Sequence, residues 1–136
     1  MIGFTYSSPT HIVFGTNTVS QAGTLMKPYA KKVLLHYGGG SVKRNGVYDT
    51  VVTSLKEAGI AIVELGGVVP NPRYSMVETG IELCKKEQPD AILAVGGGSV
   101  IDSAKAIAGG YYLEGEDLWE DSFVAHRKVT KALPLG

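Results

Sequence analysis

Three short apolar runs in this chain each lead into a glycine-bearing loop, and that recurrence restricts its possible folds more than any other feature. Val33-Leu34-Leu35-His36-Tyr37 runs into Gly38-Gly39-Gly40. Ile60 to Leu65 runs into Gly66-Gly67 and on to Pro70-Asn71-Pro72. Ala91-Ile92-Leu93-Ala94-Val95 runs into Gly96-Gly97-Gly98-Ser99. A continuous apolar run of this length, bounded by glycine, is what a strand covered on both faces looks like. Between the runs, apolar residues take helical spacing: Val47, Val51, Val52, Leu55 and Ala58 up to Gly59, then Val77, Ile81 and Cys84 before Pro89. A last set, Ile101, Ala104, Ile107, Ala108 and Tyr111, follows the third loop. Strands alternating with helices predict an α/β fold, a parallel sheet with helices on both faces.

The flanks are less regular. Phe4 to Tyr6 and His11 to Phe14 read as two short strands around a Ser-Pro-Thr turn, and Thr18 to Met26 reads as a helix. A polar segment from Trp119 to Lys128 precedes a new apolar stretch at Lys131 to Gly136, so the chain reads as one truncated domain, 1–136. That length suits a single domain with its own core.

Composition removes several function classes. Thirteen basic residues balance thirteen acidic ones, which argues against a nucleic-acid footprint. The single Cys84 excludes an internal disulfide framework and suits a reducing compartment. With no apolar run long enough for a membrane span and no signal-peptide layout at the N-terminus, the chain reads as cytoplasmic.

In open α/β sheets a ligand sits beyond the carboxyl ends of the strands, so the three loops are expected to line one crevice. Glycines let backbone approach a phosphate, and a helix that starts directly afterwards presents free amides and a positive dipole end. Two familiar fingerprints fail. No glycine cluster is followed by the Lys of a P-loop, and Lys43 and Ile101 occupy the last-glycine positions of the Gly-x-Gly-x-x-Gly pattern. Glu64 imitates the ribose-binding acid of that pattern, but without the third glycine it carries little weight. The residues alone therefore indicate a phosphate or nucleotide binder.

Four motifs add a resemblance. Val95 to Ala108, with Gly96-Gly97-Gly98-Ser99, Asp102 and Lys105, resembles the glycine signature of iron-containing alcohol dehydrogenases. Tyr37 to Lys43 with Gly46-Val47-Tyr48-Asp49 resembles the butanol dehydrogenase and NADPH-dependent aldehyde reductase branch. Pro70-Asn71-Pro72 and Pro9 to Gly15 also match that branch in order. The resemblance implies a Rossmann-like parallel sheet, the N-terminal half of the fold shared with dehydroquinate synthase. It also implies an oxidoreductase that moves hydride between a nicotinamide cofactor and a small alcohol or aldehyde. The complete enzyme is expected to be a homodimer that uses Fe2+ or Zn2+, with metal ligands in a helical domain absent from these residues, so the fragment alone is expected to be inactive. Two other readings stand beside it: a stand-alone nucleotide-binding module, and a relative of glycerol dehydrogenase or dehydroquinate synthase.

By the same resemblance Gly97, Gly98 and Ser99 contact the pyrophosphate and Asp102 helps hold the nicotinamide end. Ser99 and Asp102 also read as a variant capping box, which needs no cofactor. Asn71 either contacts the cofactor or only satisfies turn backbone. Gly39 occupies the place where NAD-preferring relatives tend to carry an acid. With Gly40 and Ser41 beside it and Lys43 and Arg44 close in sequence, NADP(H) is favoured over NAD(H). His11, His36 and His126 show no metal spacing, so no catalytic or metal residue is expected here. Cys84, Tyr111, Tyr112 and Trp119 read as packing.

Overall fold

The computed structural model describes residues 3–71, 73–113 and 128–136. Pro72, Trp119 and His126 lie outside the described residues, as does most of the polar segment between Trp119 and Lys128. Three parallel strands, β1 (Lys32–Gly38), β2 (Ala61–Val68) and β3 (Ala91–Val95), form a sheet in the order β2-β1-β3. The helices are α1 (Ala22–Met26), α2 (Ser41–Arg44), α3 (Val47–Glu57), α4 (Tyr74–Glu87) and α5 (Gly98–Gly110).

β1 is central and hydrogen-bonds on both edges, Leu34 facing Val63 of β2 and Ile92 of β3. Its residues Val33 to Tyr37 are all buried, because helices cover both faces. Val33, Leu35 and Tyr37 pack with Met26, Val51 and Leu55, from α1 and α3. Leu34 packs on the other face with Val77, Cys84, Ala104 and Ile107, from α4 and α5. Two crossovers that step in opposite directions, from β1 to β2 and back over β1 to β3, have their helices on opposite faces, as the usual hand of such connections requires. Gly59, at φ +76, ends the turn after α3 in the left-handed conformation that glycine adopts without strain.

Polar side chains pin the sheet at two levels. Asp90 accepts from the amides of Lys31 (2.8 Å) and Lys32 (3.0 Å), tying the start of β3 to the start of β1. Those bonds hold its carboxyl below the usual range. His36 is fully buried between β1, β2 and α5. Its Nδ1 lies 2.8 Å from the Leu65 carbonyl and its Nε2 2.9 Å from Ser103 Oγ. A carbonyl only accepts, so Nδ1 carries the proton and the Ser103 hydroxyl donates to Nε2. His36 is thus the packed, hydrogen-bonded side chain its setting suggests. Cys84 lies in the core, where burial pushes its thiol up to about 11.

Four expectations are corrected. Residues 3–14 form no strand, and Phe4, Ile12 and Phe14 are 80% or more exposed. Alternation alone makes no strand without a ladder partner, and no described strand pairs with this segment. The helix expected over Thr18 to Met26 begins as a 3-10 turn, Thr18–Gln21. Gly66 and Gly67 lie inside β2 and not in the loop. A Cβ at Gly66 would run into the Tyr37 ring, so this glycine makes room for a side chain of the next strand. Finally, Ser41 opens a short helix where only a loop was expected. The apolar stretch near Gly136 runs beside β3: the Ile92 amide donates to Pro134 (2.9 Å) and Ala94 to Gly136 (2.9 Å).

Burial lowers the His36 value below its ordinary 6.5 despite the Leu65 bond. The unfolded chain therefore takes the proton first. The stabilisation from neutral His36 is complete above 6.5 and is lost as pH falls through the lower folded value. Denaturant unfolding at stepped pH should show stability falling on acidification below 6.5. His36→Gln, less stable at neutral pH, should show a shallower slope there, and a flat parent profile would contradict this account.

Candidate functional site

The Gly38 and Gly96 loops and the turn after β2 leave the sheet from one edge, because all three strands are parallel and in close register. Gly38 pairs with Val68, and Tyr37 with Val95, so the strand ends lie level. β1 and β3 are neighbours whose following helices, α3 and α5, pack on opposite faces. Such a reversal opens a crevice at the strand ends, the usual ligand place in this architecture. Val100, in the first turn of α5, closes its floor. A Cβ on Gly38 would sit 3.5 Å from Val100 Cγ2, and one on Gly96 only 2.6 Å away. The Gly38 and Gly96 loops thus meet across one buried side chain.

The glycines of these loops fall into two kinds. Gly96 is required by the chain itself, through its Val100 contact and a φ of +157. Gly39, Gly97 and Gly98 are not: their backbone angles suit any residue, and an added Cβ would meet nothing within 4 Å. Nothing in the described residues demands glycine at these three exposed positions, whereas a ligand lying on the backbone would.

The helix start differs from the capping box expected of Ser99 and Asp102. α5 begins at Gly98, with Gly97 as the N-cap and no side-chain cap hydrogen bond. Ser99 is already the second helical residue, too far along to cap, so its replacement by Ala costs no cap. The first amides with helix partners are those of Val100 and Ile101, both bonded to Gly97 O. The amides of Gly98 and Ser99 precede them and have no carbonyl partner among the described residues. Two free amides at the positive end of a long helix, beside bare backbone, suit an anion.

The remaining expected residues are dispersed along the same edge. Asp102 is exposed on the second turn of α5. Asn71 is exposed after β2, in left-handed backbone at φ 55, and forms no hydrogen bond with either glycine loop. Ser41 is exposed at the start of α2. Gly40, at φ −70, is backed by Arg44, whose Nη1 would lie 2.5 Å from an added Cβ.

One cluster was missed by sequence reasoning. The hydroxyls of Tyr37 (2.9 Å) and Tyr48 (2.7 Å) donate to the two oxygens of Glu64. The tyrosine rings meet edge to face at 5.1 Å, and Lys43 Nζ lies 4.7 Å from the centre of Tyr48 and 5.1 Å from that of Tyr37. The Tyr48 bond, chiefly, holds Glu64 below its usual value, while Glu64 pushes Tyr48 up to about 12. Glu64 is therefore occupied within the chain. Only the pairing of β1 with β2 brings residues this far apart together, although Gly66 was a signal for the ring above it. An open groove of about 600 Å³, lined by Pro9, Val13, Leu25, Met26 and Leu135 among others, includes none of the glycine-loop residues expected to bind.

The family model for iron-containing alcohol dehydrogenase matches residues 9–136. NADH-dependent butanol dehydrogenase A of Clostridium acetobutylicum is 48% identical over 136 residues, all of this chain and 34% of that protein. An NADPH-dependent aldehyde reductase of Escherichia coli is 37% identical over 137 residues, covering 100% of this chain and 35% of the relative. The crystal structure of NADH-dependent butanol dehydrogenase A from Thermotoga maritima superposes with a TM-score of 0.93 at 51% identity, over 98% of this chain and 33% of that one. The chain thus spans about a third of the length of the relatives it matches.

Open space at Gly98 and crowding at Gly23 make opposite stability predictions. A Cβ on Gly98 meets nothing, so Gly98→Val should shift unfolding by about 0.5 kcal/mol or less. A Cβ on Gly23 would run into the Ser54 carbonyl, so Gly23→Ala should cost about 1–3 kcal/mol. Denaturant midpoints of the two variants check both, and a large loss in Gly98→Val would mean that this glycine serves packing.

Proposed function

Because the chain belongs to the iron-containing alcohol dehydrogenase family, we propose that it is the cofactor-holding part of an NAD(P)-dependent alcohol dehydrogenase or aldehyde reductase. The observation that carries this reading is the set of bare glycines at Gly39, Gly97 and Gly98, gathered at the β1–β3 crevice with no structural demand of their own. They fit a dinucleotide, whose pyrophosphate needs close backbone approach and fixed amide donors. Gly97, Gly98 and Ser99 would hold the pyrophosphate through the α5 amides. Gly39, Gly40 and Ser41 would take the adenosine side, and Asn71 and Asp102 would bear on the nicotinamide side. When bound, the cofactor supplies the hydride exchanged with the carbon of a small alcohol or aldehyde. The protein's own task here is to hold and orient it.

The described residues bring together no group of three or more His, Cys, Asp or Glu side chains able to hold an ion. They do not fit Fe2+ or Zn2+, and polarisation of a substrate oxygen is assigned to none of them. We place that task in a helical part of the longer protein. The neutral Gly39, with Ser41 beside it, admits the 2′-phosphate of NADP(H), and the relatives are named for both NADH and NADPH. No described helix is long and apolar enough to cross a membrane. We take the complete enzyme to be a cytoplasmic homodimer acting on small molecules.

Calorimetric titration should show NADP+ and NAD+ binding to the parent, and binding weakened at least about tenfold in Gly98→Val, whose branched side chain takes the phosphate's space. Unchanged affinity in a folded variant would remove the loop from the site. Gly39→Asp should favour NAD+, since a carboxylate repels a 2′-phosphate and accepts bonds from a free ribose hydroxyl. The 136 residues alone should give no butanol oxidation with added Fe2+ or Zn2+. Chelator-sensitive turnover by that fragment would reveal a metal site among them.

A further inference from the structure

α2 carries two adjacent cations, Lys43 and Arg44, beside the Gly38 loop, and the fold treats them differently. Lys43 is committed. Its ammonium lies over the rings of Tyr37 and Tyr48, whose hydroxyls both bind Glu64, so a cation, two ring faces and a carboxylate form one balanced group. Arg44 is exposed, and no carboxylate pairs with it among the described residues. Its guanidinium instead lies against Gly40, where Nη1 would be 2.5 Å and Cζ 3.5 Å from an added Cβ. Gly40 has φ −70 and ψ −13, angles open to any residue, and an added Cβ there would meet only the flexible end of Arg44. The guanidinium lies against the loop, one residue from the open space at Gly39.

Resting on the dinucleotide reading above, we infer that Arg44, and not Lys43, is the residue that sets NADP(H) against NAD(H), by pairing with the 2′-phosphate beside Gly39. A guanidinium presents a planar fork that matches phosphate oxygens, and an unpaired one is free to do so. Gly40 then acts as a positioning residue: its missing side chain lets Arg44 lie along the loop. The tyrosine–Glu64 group keeps Lys43 from competing for the same phosphate.

The test compares adenosine 2′,5′-bisphosphate with adenosine 5′-monophosphate, and NADP+ with NAD+, by calorimetry on the purified protein. Arg44→Ala should weaken the 2′-phosphorylated ligands about tenfold or more, the scale of one charge-assisted hydrogen bond, and leave the others within about twofold. Added salt should weaken bisphosphate binding to the parent more than to Arg44→Ala. Lys43→Ala should leave the preference unchanged. Gly40→Ala, which only displaces the flexible end of Arg44, should lower the preference in the same direction without loss of stability, an effect that a merely structural role for Arg44 would not produce. Equal losses for both ligand classes in Arg44→Ala, a preference carried by Lys43, or a parent that binds NAD+ but no 2′-phosphorylated ligand would each overturn the inference. A parent that binds none of the four ligands would instead overturn the dinucleotide reading beneath it.

Discussion

Every other element takes its place from β1, which is buried on both faces and hydrogen-bonded on both edges. A strand in that position cannot leave amides or carbonyls unpaired, so β2 and β3 must flank it. Nor can it leave either face to water, so α1 with α3 and α4 with α5 must cover opposite sides. The chain meets both demands by stepping from β1 to β2 and then back across β1 to β3. That reversal sends the helices after β1 and β3 apart and opens the crevice. Site and core thus follow from one requirement.

Polar groups fix this arrangement where apolar packing alone would let strands slide. Asp90 locks the starting ends of β1 and β3, and His36 joins β1 to Leu65 of β2 and to Ser103 of α5. Both ring nitrogens of His36 are satisfied only in one tautomer and one register. A slip by one residue would turn His36 toward the α3 face and leave it without partners, a buried loss larger than the gain from any single apolar contact. The level ends of the strands, on which the meeting of the Gly38 and Gly96 loops depends, are secured in this way.

Charge is also sorted by the fold. Along the chain, Lys43 and Arg44 together favour NADP(H), and Glu64 imitates a ribose-binding acid. Tyr37 reaches over Gly66 to Glu64, Tyr48 joins it from α3, and Lys43 is drawn onto the two rings. The acid that imitates a ribose-binding residue is occupied by two tyrosine hydroxyls, and Arg44 beside the glycine loop has no carboxylate partner among the described residues.

The alternation of buried runs with helical spacing determined the parallel sheet, the helices on both faces and the single edge for the glycine loops, since period and burial are local properties that each segment carries by itself. The left-handed Gly59 and the core position of Cys84 were legible for the same reason. The bare glycines were legible as candidates, but Gly96 and Gly98 look alike in the sequence. Only Val100, packed beneath one of them, separates a glycine required by packing from one left open. Ser99 and Asp102 imitate a cap because capping boxes are read by spacing, whereas the start of α5 is set by where β3 leaves the sheet. The segment at residues 3–14 shows the same limit: its alternation is local, but a strand exists only when another edge binds it. The Tyr37–Glu64–Tyr48–Lys43 group, the lodging of Arg44 at Gly40 and the choice of His36 partners belong wholly to tertiary structure. Each depends on side chains brought together by strand pairing or helix packing, and residue order along the chain carries no record of those distances.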